Sequence, residues 1–357
     1  MKILHISDVH LGSPMTARLS PERIRERGRE LLDTFRRAVG EGVRLGARGV
    51  IIAGDLFDSE NISERAQDGV IELISGHPEV TFFYLPGNHE GDAFLRGRAV
   101  LPKNLLCFGE GWTYFESEGL TVAGRSVCAE GMFDELRLDP KNKNIVVLHG
   151  ELRDRSAAPD VIGKREAKGR YIDYLALGHY HSYRDEILDT RCTAVYCGTP
   201  EGRGFDETGD KGFVMIDTDT RHLEHRFVPF ARRRLHIAYA DISTATRPSE
   251  VLRAARLAVG GIPECDLVRL ELCGECAAGL TKDVEGIEYE LRDKFYYFEV
   301  KDSSRLALDM ESLRHDRSLK GEFIRRVLAE EGLDGRTRDE IIACGIAALR
   351  GESYFEI

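Results

Sequence analysis

The chain has 357 residues, 42% of them hydrophobic and 31% charged, with a net charge of −11. That length suits two or three domains, and no run approaches the ~20 consecutive apolar residues of a membrane helix, so a soluble chain without a membrane span is expected. The acidic balance argues against a surface coated in DNA-binding positive charge, although a local basic groove is compatible with it.

The opening MKILHISDVH reads as a short strand (KILHIS, 2–7) that runs into polar residues and lacks the long apolar core of a signal peptide. Eight cysteines, 107, 128, 192, 197, 265, 273, 276 and 344, are scattered in or beside apolar runs. Both features predict a reduced, cytoplasmic protein. The next stretch, PERIRERGRELLDTFRRAVGEGVRLG, places Ile24, Leu31, Leu32, Phe35 and Val39 on one helical face, with Pro21 in the first turn. GVIIAG is the second strand, and a helix near 62–75 leads into VTFFYLP. Further strands are expected at LTVAGRSV (120–127), NIVVLHG (144–150), YLALGHYH (174–181), AVYCG (194–198) and GFVMIDTD (212–219). Strand–helix alternation that gives way to strands predicts a layered α/β domain over 1–230.

Beyond it, FARRRLHIAYADIS, RPSEVLRAARLAV, DLVRLELC, TKDVEGIEYELRDK and FYYFEVKD form a β-α-β-α-β pattern, read as a second domain over 231–302. Within it, Cys273-Gly-Glu-Cys276 is better read as buried thiols at a strand end than as a zinc site, because no second ligand pair accompanies it. The tail, 303–357, carries two amphipathic stretches, SLKGEFIRRVLAEEGL and TRDEIIACGIAALRG. Helices this short cannot bury Phe323, Ile324, Val327, Leu328, Ile341, Ile342, Ile346 and Leu349 alone, so they pack on the body or on a partner.

Polar groups at strand ends carry the chemistry. In order they are Asp8 and His10, Asp55, Asn88 and His89, His149, then His179 and His181, each after an apolar run. In a layered α/β fold, strand ends on one edge are neighbours, so these side chains can meet in one crevice. Carboxylate, imidazole and amide oxygen together suit two divalent metals, and the two oxygens of Asp55 allow it to bridge them. Two metals ~3.5–4 Å apart activate a water and steady the oxygens of an in-line phosphoryl displacement. Taken singly, Gly54-Asp55 is a common turn and Asp8 is a common cap. Gly87-Asn88-His89 is rarer, since both side chains are costly to bury unpaired. His179 and His181, two apart, would lie on one side of an extended chain. Five such signals at successive strand ends are not a coincidence of turns.

The series DVH, GDLFD, GNHE, LHG, GHYH resembles the calcineurin-like metallophosphoesterase superfamily over residues 1–230. GDLFD, the segment GTPEGRGFDE and the β-α-β-α-β domain are similar to SbcD-type DNA repair exonucleases. The resemblance implies an α-β-β-α sandwich with a small cap domain and a helical tail. It implies one metal on Asp8, His10, Asp55 and His181, and a second on Asp55, Asn88, His149 and His179, with manganese the usual ion and iron or zinc compatible with the ligands. It leaves His89 free to face the phosphate and serve the leaving oxygen. It also implies DNA as substrate, an SbcC-type coiled-coil ATPase docked on the tail, and a homodimer. Glu90 stands where Asp is commoner, and little effect is expected of it. Arg153, Arg155, Lys164, Arg165, Lys168, Arg170 and the ARRR at 231–234 are the basic residues available for DNA, unless neighbouring acids offset them. A small-molecule phosphodiesterase or phosphatase is the alternative. A metal-free scaffold is disfavoured by the cost of burying so many unpaired polar groups.

Overall fold

The structure, a computed structural model, describes residues 1–15, 17–96, 100–117, 119–155, 158, 160–277, 280–307 and 315–349. It divides into two compact units, Met1–Arg234 and Leu235–Ile357.

The first unit opens with β1 (Lys2–Ile6), helix α1 (Pro21–Arg44), β2 (Ala47–Ala53), helix α2 (Glu64–Ser75), β3 (Thr81–Leu85) and β4 (Leu105–Cys107). It continues through β5 (Thr113–Ser117), β6 (Leu120–Gly124), a short α3 (Met132–Glu135), β7 (Lys143–His149), β8 (Glu151–Arg153) and β9 (Val161–Gly163). After α4 (Lys164–Ala167) come β10 (Tyr174–Gly178), β11 (Arg184–Ile187), β12 (Thr193–Tyr196), β13 (Gly212–Asp217) and β14 (Glu224–Pro229). Two six-stranded sheets result, ordered β14-β13-β1-β2-β3-β4 and β11-β12-β10-β7-β6-β5. In the first, β1 to β4 run parallel; in the second, β6, β7, β10 and β12 do. Parallel strands covered on both faces need continuous apolar runs, which is why GVIIA and NIVVL carry no alternation.

The sheets face each other across a core that includes Ile51, Phe83, Ile145, Val147, Tyr174, Val195 and Val214. Helix α1 packs on the outer face of the first sheet and buries Leu31, Phe35, Ala38 and Val39. Its start is fixed by Ser20, whose hydroxyl accepts from the Arg23 amide, and by Pro21 in the first turn. Ile24, expected on the buried face, is exposed instead, because Arg27, Glu30 and Thr34 occupy the start of that face and pair internally. On the outer face of the second sheet, Leu148, Leu175 and Leu177 pack with Met132, Phe133, Ile162 and Ile172. The chain therefore has the layered α/β sandwich.

The second unit holds a parallel sheet of β15 (Leu235–Asp241), β16 (Leu267–Cys273) and β18 (Tyr297–Asp302), with β17 (Glu275–Cys276) paired to β19 (Arg305–Leu306) beside it. Helices α5 (Pro248–Ala258) and α6 (Val284–Leu291) cross between the strands, and their Val251, Ala255, Ile287 and Leu291 pack against Val268, Leu270 and Leu272. The β-α-β-α-β pattern is thus real, and Cys276 is buried in its core. At the C-terminal end, α7 (Leu319–Ala329) and α8 (Gly335–Leu349) pack on each other through Ile324, Ile342 and Ile346, with Leu306, Phe323, Val327 and Leu328 around them. Much of the apolar face set aside for a body or a partner is therefore used within this unit, while Leu349 stays exposed. Residues 308–314 and 350–357 of the expected tail lie outside the described residues. No helix among the described residues is long and apolar enough to cross a membrane.

Candidate metal centre

Strands β1, β2, β3, β7 and β10 all end on one edge of the sandwich, and each empties into the motif read from the sequence. Backbone bonds tie the first two exits together: Asp8 N to Gly54 O (3.0 Å), His10 N to Asp55 O (2.9 Å) and Leu11 N to Leu56 O (2.9 Å). Side chains tie in the others. The Asp8 carboxylate accepts from His179 N (2.9 Å), Asp55 Oδ1 accepts from His89 N (3.2 Å), and His149 Nδ1 donates to Ala53 O (2.9 Å). The glycines before the motif residues are steric necessities. A Cβ on Gly87 would overlap the Asp55 carboxylate, and one on Gly54 would overlap the His149 ring, besides Gly54 having φ +88°. Asp8, His10, Asp55 and His179 themselves hold left-handed φ values of 53°, 49°, 51° and 104°. Such backbone costs of order 1–3 kcal/mol per residue and gathers at functional sites.

The predicted side chains converge. Asp55 Oδ2 lies 3.3 Å from His149 Nε2, 3.7 Å from His10 Nε2 and 4.0 Å from His89 Nε2. Asn88 Oδ1 lies 3.0 Å from His149 Nε2, and His10 Nε2 lies 3.2 Å from His181 Nε2. The His179 ring meets the His149 ring edge to face, with centroids 5.6 Å apart. Asp8, His10, Asp55 and His149 are buried, whereas Asn88 and His89 line the solvent side. Contrary to the extended-chain reading of GHYH, β10 stops at Gly178. The chain turns at His179, which sends its ring toward His149 and the His181 ring toward His10.

Hydrogen placement decides whether this cluster suits cations. His149 keeps its proton on Nδ1, facing a carbonyl. His181 Nδ1 lies 2.7 Å from the Glu207 carboxylate, which holds the proton on that outer nitrogen as well, and His10 Nδ1 lies within ion-pair distance, 2.9 Å, of the Asp58 carboxylate. The inward Nε2 atoms then face one another, Asp55 and the Asn88 carbonyl, so each close pair needs a shared proton or a cation between its atoms. Three sets have atoms close enough to share one ion: Asp8, His10 and His181; Asp8, Asp55 and His149; and His10, Asp58 and His89. Protons respond to the same crowding. Burial opposes charge on His149, yet Asp55 and Asp8 outweigh it and push the imidazole up to about 9. Burial likewise opposes charge on Asp55, but His149 and His10 hold its carboxyl well below the usual range. Divalent cations would take the place of those protons.

The sequence reading missed three carboxylates. Asp58 and Glu207 face His10 and His181, as above. Glu90, of which little was expected, is fully buried and accepts from Leu56 N (3.2 Å), Phe57 N, Gly87 N (3.2 Å) and Tyr84 Oη (3.0 Å), clamping the GDLFD loop to the GNHE loop. Burial foremost, with Asp55 nearby, pushes it up to about 7 against its backbone donors. The predicted basic residues are largely offset by acids: Arg153 pairs with Glu151, Lys164 with Glu186, Arg165 with Asp154, Arg170 with Asp134, Arg232 and Arg233 with Glu30, and Arg234 with Asp210.

Among similar proteins, the metallophosphoesterase YhaO of Bacillus subtilis, itself described as uncharacterized, is 25% identical over 314 residues, 80% of this chain and 75% of that one. The DNA double-strand break repair protein Mre11 of Sulfurisphaera tokodaii is 28% identical over 244 residues (60% of this chain, 59% of the relative), and that of Saccharolobus solfataricus 30% over 245 residues (61% and 60%). The chain spans about three fifths of the length of these archaeal relatives. Solved structures similar to it include TT1561 of Thermus thermophilus (16% identity, 63% of this chain, 98% of that one, TM-score 0.42) and a dimetal phosphatase from Danio rerio (12%, 60%, 92%, 0.41). Residues 1–183, which run from the first strand through both histidines of GHYH, match the calcineurin-like phosphoesterase family. The motif residues and the sandwich that gathers them have one common reading: this chain belongs to the calcineurin-like phosphoesterase family.

Proposed function

We propose that the chain is a two-metal phosphodiesterase that cuts DNA in double-strand-break repair, with manganese as the working ion and iron or zinc compatible with the same ligands. The observation that carries it is the convergence at the strand ends of nitrogen and oxygen atoms of Asp8, His10, Asp55, Asn88, His149 and His181, with the His179 ring against His149. Asp8, His10, Asp55 and His181 would hold one cation, and Asp55, Asn88, His149 and His179 the other. When bound, two such ions supply a nucleophile at neutral pH and offset the charge that gathers on the phosphoryl oxygens. The rest falls to the chain. Asp55 stands between the two imidazole groups and sets their separation. Glu207 and the Ala53 carbonyl take the outer Nδ1 protons of His181 and His149, and Asp58 lies beside Nδ1 of His10, so Nε2 is the atom each ring would offer to a cation. His89 anchors Nδ1 on the Asp58 carbonyl (3.1 Å), so in the imidazolium form it is Nε2 that gives its proton to the departing oxygen and returns to the neutral ring.

DNA as substrate rests on the similarity to Mre11, a DNA double-strand break repair protein. That reading assigns DNA contact to the 231–302 region, makes an SbcC-type ATPase and a second copy of the chain its partners, and sets it in the cytoplasm. The acid-paired arginines and the net charge of −11 favour a second reading, a phosphodiesterase or phosphatase of small phosphoesters. The test is a manganese-dependent assay on linear duplex, hairpin and single-stranded DNA beside a mononucleotide phosphate. Cleavage of DNA with a steep inverse dependence on salt supports the first reading. Turnover of the mononucleotide alone supports the second. His89→Ala should keep both ions and lose about 10²–10⁴-fold in turnover; unchanged turnover at unchanged metal content removes His89 from the chemistry.

A further inference from the structure

Arg203 lies in GTPEGRGFDE, one of the segments similar to SbcD-type exonucleases. Its side chain is only 12% exposed. Nη1 lies 3.2 Å from Asp58 Oδ1 and donates to Ser13 Oγ (3.1 Å). Nη2 and Nε donate to Glu207 Oε1 (2.6 and 3.1 Å), while the Arg203 backbone amide donates to Glu207 Oε2 (2.7 Å). These are the same two carboxylates that face His10 and His181. One planar cation thus closes an arc from His10 through Asp58, Arg203 and Glu207 to His181, whose free ends, the two Nε2 atoms, stand 3.2 Å apart. Arg203 Nη2 also comes within 3.1 Å of His181 Nδ1, because both are donors to one Glu207 oxygen.

We propose that Arg203 is a positioning residue that presets the His10–His181 half of the metal centre, and not the Asn88–His149–His179 half. The inference rests on the two-metal reading above. Two carboxylates that face neighbouring imidazoles repel each other unless a cation lies between them, and a carboxylate that turns away releases the ring and its tautomer. A guanidinium is the one side chain that stays charged and offers donors in a fixed fork, so it can serve both acids at once. The other half has different supports: His149 is held by a backbone carbonyl, and Asn88 and Asp55 by loops that Glu90 clamps. Outer partners of this kind change metal affinity by about 10–100-fold when removed.

The experiment is a manganese titration of the full-length, chelator-treated protein by calorimetry, with stoichiometry by elemental analysis. The unsubstituted chain should take two ions; if it takes fewer, the two-metal reading fails first and this inference falls with it. Given two, Arg203→Met should bind one ion as before and the other about 10–100-fold more weakly, with Arg203→Lys between the two proteins. Equal weakening of both ions, or no weakening of either, in a folded Arg203→Met protein overturns the assignment. Should that variant not fold, Glu207→Gln serves: its amide still accepts from His181 Nδ1 but no longer binds the guanidinium by charge. Selective loss at one ion supports the clamp, and uniform or absent loss refutes it.

Discussion

Two buried polar clusters sit in the first unit, and they are built on opposite rules. Beside α1, Arg27 donates to Glu30 (2.5 Å), Glu201 (2.9 Å) and the Gly202 carbonyl (2.6 Å). Thr34 Oγ1 and the Arg232 and Arg233 amides donate to Glu201 (2.9, 2.7 and 3.1 Å), and the Arg233 guanidinium donates to Glu30 (3.1 Å). Each acid there is matched by donors from the chain. At the strand-end crevice, Asp55 Oδ2, the Asn88 carbonyl and the inward Nε2 atoms crowd together with few donors, so protons or cations must lie between them. The acids of the first cluster are satisfied as folded, and they fasten the chain near 201 and 233 to α1. The second shares protons among its own groups and, in the two-metal reading, would exchange them for cations. Burial and charge alone do not separate a structural cluster from a functional one; the balance of donors and acceptors does.

Substitutions test that contrast. The largest effect is expected of Asp55→Ala, which should lose both ions and more than about 10³-fold in turnover, several kcal/mol of lost charge stabilisation, while remaining folded in chelator. Full metal occupancy in that variant would remove Asp55 from the bridging position. Arg27→Met should do the reverse. It strands Glu30 and Glu201 in the interior, costs about 3–5 kcal/mol in denaturant unfolding, and leaves two ions bound. Metal loss there would mean that the clusters are not separate. Chelation comes next: at an ion concentration about 1,000 times Kd, each ion should add about 4 kcal/mol to the native state, and chelator should remove it in Arg27→Met as in the parent.

The smallest effect, read over the first pH unit below neutrality, is a pH slope away from both clusters. His5 is fully buried, with Nδ1 2.9 Å from Tyr174 Oη. Burial chiefly, then His225, lowers it to about 3. Between pH 6.5 and about 3 the unfolded imidazole takes a proton that the folded one refuses. Stability is therefore full above pH 6.5 and falls on acidification by up to about 1.4 kcal/mol per pH unit. His5→Phe should flatten that part of the stability curve; an unchanged slope would assign the acid sensitivity elsewhere.

The sequence made the ends of buried strands legible, because continuous apolar runs such as GVIIA and NIVVL stop abruptly at the motif residues. It did not reveal edge strands. All of β11 (RDEI) is exposed, so no apolar signal marks it. The supports of the imidazoles were hidden for another reason. Glu207 meets His181 across 26 residues and Arg203 meets Asp58 across 145, distances that no local pattern spans. Asp58 stood inside the quoted GDLFD and Glu90 inside GNHE, yet nothing in those strings tells which carboxylate grips an imidazole and which grips backbone amides. Ile24 was misplaced because helical spacing cannot distinguish an apolar stripe from one whose first turns bury an ion-pair network.

The left-handed residues at the crevice carry an evolutionary corollary. Glycine adopts those angles without penalty, so His10→Gly and His179→Gly relax the backbone while they erase two imidazoles. A library of variants screened for heat resistance alone would drift toward glycine at these positions and return sturdier, inert proteins. Histidines that persist there under such a screen would mark selection acting on the ions rather than on the fold.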